Sequence, residues 1–307
     1  MTIAFVFPGQ GSQSVGMLAD LIAAEPVVAS TFDEAGDALG WNLGQIVQDG
    51  PEAELNQTAV TQPAILTASI AIWRLWVERG GTLPAAVAGH SLGEYSALVA
   101  AGALEFSDAV RLVNQRGQFM QAAVPAGEGL MAAILGLDDA AIEAACAEID
   151  GAAPANYNAP GQVVLAGRKA AVEAAIEACS AAGARRATAL AMSVPSHCDL
   201  MMPAAEQLAE LLAQTTVNVP SIPVYRNVDA ELSGDPDEIR EALRAQLFSP
   251  VRWTACVQAL ISGGADRMVE CGPGKVLAGL VKRIDRGTPV AATDSPEALA
   301  AAIEDLK

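Results

Sequence analysis

The chain is poor in basic residues, aromatics, cysteine and histidine. Lys and Arg total 18 against 36 acidic residues, a net charge of -18 over 307 residues. Binding to nucleic acid needs clustered cations, so this balance argues against that class of partner. The five cysteines, at 146, 179, 198, 256 and 271, are odd in number and scattered. Without a C-x-x-C spacing, neither a disulfide framework nor a zinc site is expected, no metal is called for, and a reducing cytoplasm fits. No apolar run approaches the length that spans a bilayer, so no membrane role is expected. The first residues, Met1 to Phe7, lack a basic segment and run straight into Pro8-Gly9. They read as an opening strand and not as a signal peptide. Aromatics make up 4% and charged residues 18%, against 52% apolar. That is a globular composition, rich in Ala and Gly, suited to closely packed helix and sheet layers.

What the chain does have is the pentapeptide Gly89-His90-Ser91-Leu92-Gly93. It follows an apolar run, 85–88, that reads as a buried strand, and precedes Glu94 to Ala101, which reads as a helix. Strand, G-x-S-x-G and helix together form the context of a nucleophile elbow. The serine hydroxyl would stand exposed at a helix N-terminus, where N–H groups favour developing negative charge. Only two histidines exist, His90 and His197. His90 adjoins the serine and cannot readily turn back onto its hydroxyl. His197, in Ser193-Val194-Pro195-Ser196-His197, is therefore the candidate base.

Strands and helices alternate from Thr2 to about residue 126, with a long helical pattern from Thr61 to Arg79. Ser107 is expected to cap a helix running from Asp108 to Ala123, which carries Arg116. Between about 127 and 192 the rhythm changes to β-α-β-β-α-β, with a final strand at 186–192, the split ferredoxin-like order. After His197 the α/β rhythm resumes: a strand at 222–228, helices at 235–247 and 251–262, a strand at 267–271, and a helix at 275–285. The expected fold is α/β, with a hydrolase-like parallel-sheet core built from 1–126 and 193–307. A ferredoxin-like α+β subdomain, 127–192, is inserted in it. Ser91 and His197 then flank the insert, which suggests a cleft between two lobes.

Several further motifs occur in order along the chain. They are Phe7-Pro8-Gly9-Gln10-Gly11-Ser12-Gln13, Gln62-Pro63-Ala64, Gly89 to Glu94, Gln115-Arg116-Gly117, Asn158-Ala159-Pro160-Gly161-Gln162, Val194 to His197 and Gly272-Pro273-Gly274. With them the chain resembles the malonyl-CoA:acyl-carrier-protein transacylases of type II fatty acid synthesis and, less closely, the acyltransferase domains of polyketide synthases. The resemblance implies that Ser91 carries the acyl group and His197 is its base. It implies that the backbone carbonyl of Gln246, and not a carboxylate, orients the imidazole. The N–H groups of Gln10 and Leu92 would form the oxyanion hole, Arg116 would bind the malonyl carboxylate, and Asn158 would lie near the substrate. The partners implied are malonyl-CoA and an acyl carrier protein, with no cofactor.

A serine esterase with the same elbow is the rival reading. Such enzymes place their histidine close to the C-terminus after an acidic residue, whereas about a third of this chain follows His197. A non-catalytic scaffold would leave the Ser–His pair to chance. Because acyl carriers of the resembled pathway are acidic, docking on a chain of charge -18 calls for a local positive face. Lys275, Lys282, Arg283 and Arg286, read as one helical stripe, offer such a face.

Overall fold

The computed structural model describes residues 2–190 and 194–306. Among the described residues, ten strands fall in two sheets. Those of the first are β1 (Ile3–Phe7), β2 (Ala86–Gly89), β7 (Val224–Tyr225), β8 (Leu232–Ser233), β9 (Arg267–Glu270) and β10 (Val290–Ala292). Those of the second are β3 (Gly129–Leu135), β4 (Ala152–Ala159), β5 (Gln162–Arg168) and β6 (Arg186–Ala189).

The first sheet runs β10-β9-β1-β2-β7-β8 and is parallel except for the short β8 at its edge. Its centre is β1, whose five residues are all buried. A run with no polar alternation needs cover on both faces, and helices supply it. The second sheet runs β4-β5-β3-β6, entirely antiparallel. Numbered within the insert, that is the ferredoxin-like order 2-3-1-4. The hydrolase-like core with a ferredoxin-like insert is the architecture the sequence implies.

The parallel strands deliver their C-terminal ends to one edge, where open α/β sheets gather ligands. β1 hands over to Pro8-Gly9-Gln10, β2 to the elbow, β7 to the turn holding Asn227, and β9 to Gly272-Pro273-Gly274. The insert is stitched to this edge by backbone bonds. Tyr157 donates to the Val251 carbonyl and Val251 to the Ala155 carbonyl, each at 2.9 Å.

Several boundaries differ from expectation. The helix carrying Arg116 spans Phe106–Ala123, with Glu105 as its N-cap. Ser107 does not cap it: its hydroxyl donates to Glu34 Oε1 instead. Two short helices, Leu43–Asp49 and Glu52–Leu55, were not foreseen. The strand expected at 222–228 pairs only at Val224–Tyr225, because the chain turns at once into β8. The helix expected at 275–285 covers only Val276–Ile284. Lys275 is its N-cap and pairs with Asp294 at 3.6 Å, and Arg286 lies past its end. Arg283 donates to Gln162. The four-cation stripe is therefore broken, and only Lys282 and Arg283 share that helix. Of the strand expected at 186–192, Arg186–Ala189 is observed, while Ala191 and Met192 lie outside the described residues. So does Ser193, and with it the expected boundary between the lobes.

Candidate active site

The elbow forms because β2, the turn and helix Gly93–Ala100 approach β1 more closely than a side chain allows. A Cβ on Gly89 would stand 1.8 Å from the Gly93 carbonyl carbon, and one on Gly93 would stand 2.0 Å from the Phe7 oxygen. Glycine is therefore required at both ends of the pentapeptide. Between them Ser91 adopts φ 52°, in the left-handed region that side chains avoid. His197 does the same, at φ 63°, held there by its N–H on the Leu247 carbonyl at 2.9 Å. Such residues persist only where the surroundings over-determine them, and they cluster at functional sites.

The two side chains meet. Ser91 Oγ lies 2.8 Å from His197 Nε2, and His197 Nδ1 lies 2.7 Å from the Gln246 carbonyl oxygen. A carbonyl can only accept, so Nδ1 carries the proton and Nε2 is left free to accept from the hydroxyl. Burial pushes the imidazole pKa down to about 3, and the charge on Arg116 pushes it in the same direction. The ring is thus neutral at ordinary pH, the form a general base requires. The other histidine is turned away: His90 Nε2 donates to Asn158 Oδ1 at 2.7 Å, and burial lowers its pKa as well.

Arg116 is 1% exposed, although it carries a full charge. Its Nη1 donates to Gln62 Oε1 at 2.8 Å and its Nη2 to Gln246 Oε1 at 3.0 Å. The guanidinium also sits 5.4 Å from the centre of the Tyr95 ring. Among the described residues its Nε has no hydrogen-bond partner, and no carboxylate pairs with it. A buried cation costs several kcal/mol unless an anion compensates it. Here two neutral amides orient the cation, and the anion is left to be supplied.

Ser91, His197, Arg116, Asn158, Gln10 and Leu92 all line one cavity of about 210 Å³. The structure thus brings together the six side-chain and backbone positions singled out from the sequence, with Gln246 immediately behind them. Gln246 does more than its carbonyl does. Its Nε2 donates to Glu94 Oε2 at 2.7 Å and to the Ser91 carbonyl at 3.1 Å. One buried residue therefore touches the Ser91 backbone, the His197 ring and the Arg116 guanidinium. Glu94 is buried too, and desolvation raises its carboxyl to about 7, against the opposing pull of its bonds to Gln246 and Asn227.

The chain's likeness to known proteins follows the same lines. The acyl transferase domain model matches residues 4–298. The chain belongs to the acyl transferase family. A malonyl CoA-acyl carrier protein transacylase of Escherichia coli strain K12 is 57% identical over 98% of both chains. One of the same name from Bacillus subtilis strain 168 is 46% identical over 99% of this chain and 97% of its own. One chain of a solved complex between a type II PKS acyl-carrier protein and its malonyl-transacylase superposes with TM-score 0.98. It is 53% identical, over 99% of this chain and 100% of that one. For an acyl transferase the Ser–His pair is the expected machinery, and a buried arginine lies in the same cavity.

Proposed function

We propose that this acyltransferase moves a malonyl group from malonyl-CoA to the phosphopantetheine thiol of an acyl carrier protein, by way of a malonyl ester on Ser91, in fatty acid biosynthesis. The observation that carries the reading is the buried, carboxylate-free Arg116 in the same cavity as the Ser91–His197 pair. An acyl chain that ends in a carboxylate supplies the missing anion and places its thioester at the serine.

In the first half-reaction Ser91 Oγ gives its proton to His197 Nε2 and attacks the thioester carbon. The oxyanion forms against the N–H groups of Gln10 and Leu92. When the intermediate collapses, the C–S bond breaks and the CoA sulfur takes the proton from the imidazolium. The second half-reaction reverses the roles: the carrier thiol gives its proton to His197 and attacks the ester, and Ser91 leaves with that proton. No redox change occurs and no cofactor is called for. Arg116 binds the malonyl carboxylate by a planar contact, and Asn158, fixed by His90, lies beside the acyl chain. The apolar side chains of Met131, Val276, Leu277 and Leu280 line the same cavity and suit the arm that carries the thioester.

The same reading divides the chain into a core, 1–126 with 193–307, and a lobe, 127–192, with the cavity between them. It places the enzyme in the cytoplasm, where thiols stay reduced. All five cysteines are buried and unpaired.

Mixing the protein with malonyl-CoA and a holo carrier tests this. Malonyl-carrier should accumulate, and free malonate from hydrolysis should stay minor. Rapid thioester hydrolysis without transfer would favour the esterase. Arg116→Ala isolates the specificity. A carboxylate buried without its partner costs roughly 3–5 kcal/mol, so malonyl transfer should fall about 150- to 5,000-fold while acetyl transfer falls far less. Equal losses for both substrates would leave Arg116 with a structural role only.

A further inference from the structure

The turn after β7 holds Asn227, fully buried and 136 residues from the serine. β2 and β7 pair in parallel only as far as Ala88 and Tyr225. Beyond that point the ladder has no backbone partner to offer Gly89 and Ser91. The Asn227 side chain takes both groups. Its Oδ1 accepts the Ser91 N–H at 2.7 Å, and its Nδ2 donates to the Gly89 carbonyl at 2.6 Å. The amide thus does for the elbow what a peptide unit of a neighbouring strand would do, bridging His90 just ahead of Ser91, whose φ is 52°. It is itself fixed from behind. Its backbone N–H donates to Glu94 Oε2 at 3.0 Å, and its carbonyl accepts from the Arg252 N–H at 2.9 Å.

We infer that Asn227 is a positioning residue of the transfer reaction: its amide clamps Gly89 and Ser91 so that the hydroxyl stands on the His197 nitrogen. The inference rests on Ser91 being the acyl carrier. It follows from what the backbone needs. A left-handed residue between a strand end and a helix start leaves an N–H and a C=O without ladder partners, and buried backbone groups are almost always paired. Of the side chains in their usual ionisation states, only a primary amide offers one donor and one acceptor side by side. A loosened clamp would let Oγ drift from Nε2, and misplacement by about 1 Å can cost about 100-fold in rate.

Two variants test it. Asn227→Ala removes both bonds. Asn227→Asp keeps the shape and the acceptor but loses the donor when ionised; protonated, its hydroxyl can serve Gly89 again. The groups around the introduced carboxyl are Glu94 on the elbow helix, Arg252 before the next helix, and Arg226 and Asp229 in its own turn. Burial beside Glu94 would raise its titration range. Malonylation of the Ser91 peptide is followed by quenched-flow mass analysis, with circular dichroism as the check on folding. In Asn227→Ala the acylation rate should fall about 100-fold with little change in the KM for malonyl-CoA. In Asn227→Asp the rate should be low at alkaline pH and recover as pH falls, a gain the wild type does not show. Wild-type rates in a folded Asn227→Ala would overturn the inference. If that variant does not fold, a wild-type pH profile in Asn227→Asp would do so. Wild-type protein that takes malonate elsewhere than Ser91 would instead remove the nucleophile reading, and the clamp with it.

Discussion

Ser91→Ala should eliminate the malonyl adduct and malonyl transfer together while leaving the thermal midpoint close to wild type. The hydroxyl's bond is to His197 Nε2, so its loss leaves that nitrogen without a partner and opens no core cavity. The features that build the elbow are untouched: Gly89 and Gly93 keep their close approach, and the Ser91 N–H keeps its bond to Asn227. The adduct therefore depends on the oxygen alone. Residual transfer above a few per cent would mean that the thioester is attacked directly by the carrier thiol, with the serine a bystander. An adduct that survives on another residue would move the nucleophile.

His197→Ala should slow acylation by about 10²- to 10⁴-fold, the usual worth of positioned acid–base help. Its pH dependence is as informative as its size. A base must be neutral, and burial, followed by the Arg116 charge, depresses this imidazole to about 3. In the wild type the acid limb of acylation should therefore lie well below the ordinary histidine range, with the rate nearly flat through neutrality. Arg116→Ala removes one of the depressing causes, so the limb should move upward, though not to the free value, because burial remains. By the same charge balance, a malonyl carboxylate bound on Arg116 would offset the cation and ease protonation of His197. A wild-type acid limb near 6.5, unmoved by Arg116→Ala, would show that the imidazole is not held in this field.

The Ser91–His197 pairing was legible because its signals are local and scarce. A five-residue turn singles out the serine, and with two histidines, one beside that turn, its partner had one candidate. Arg116, Asn158 and the oxyanion positions came from resemblance, since a single helical arginine looks like any solvated charge; only its burial and missing anion set it apart. The orienting group of His197 is a backbone carbonyl, which leaves no trace in residue types, and the side-chain role of Gln246 was not foreseen. Asn227 had no signal at all: it stands in an ordinary turn, and its task arises from a ladder that ends one residue too soon. The alternating rhythm conveyed the sheets, while ends governed by tertiary contacts slipped, as at Ser107, which bonds to Glu34, and at Lys275, which pairs with Asp294.

The central claim is that one half-buried serine carries malonate between two thiols. Wild-type protein mixed with malonyl-CoA, digested and mapped by mass, should show a single malonyl group on the peptide containing Ser91, discharged when holo carrier is added. Malonate on any other residue, or a Ser91 ester that water removes faster than the carrier does, would contradict it.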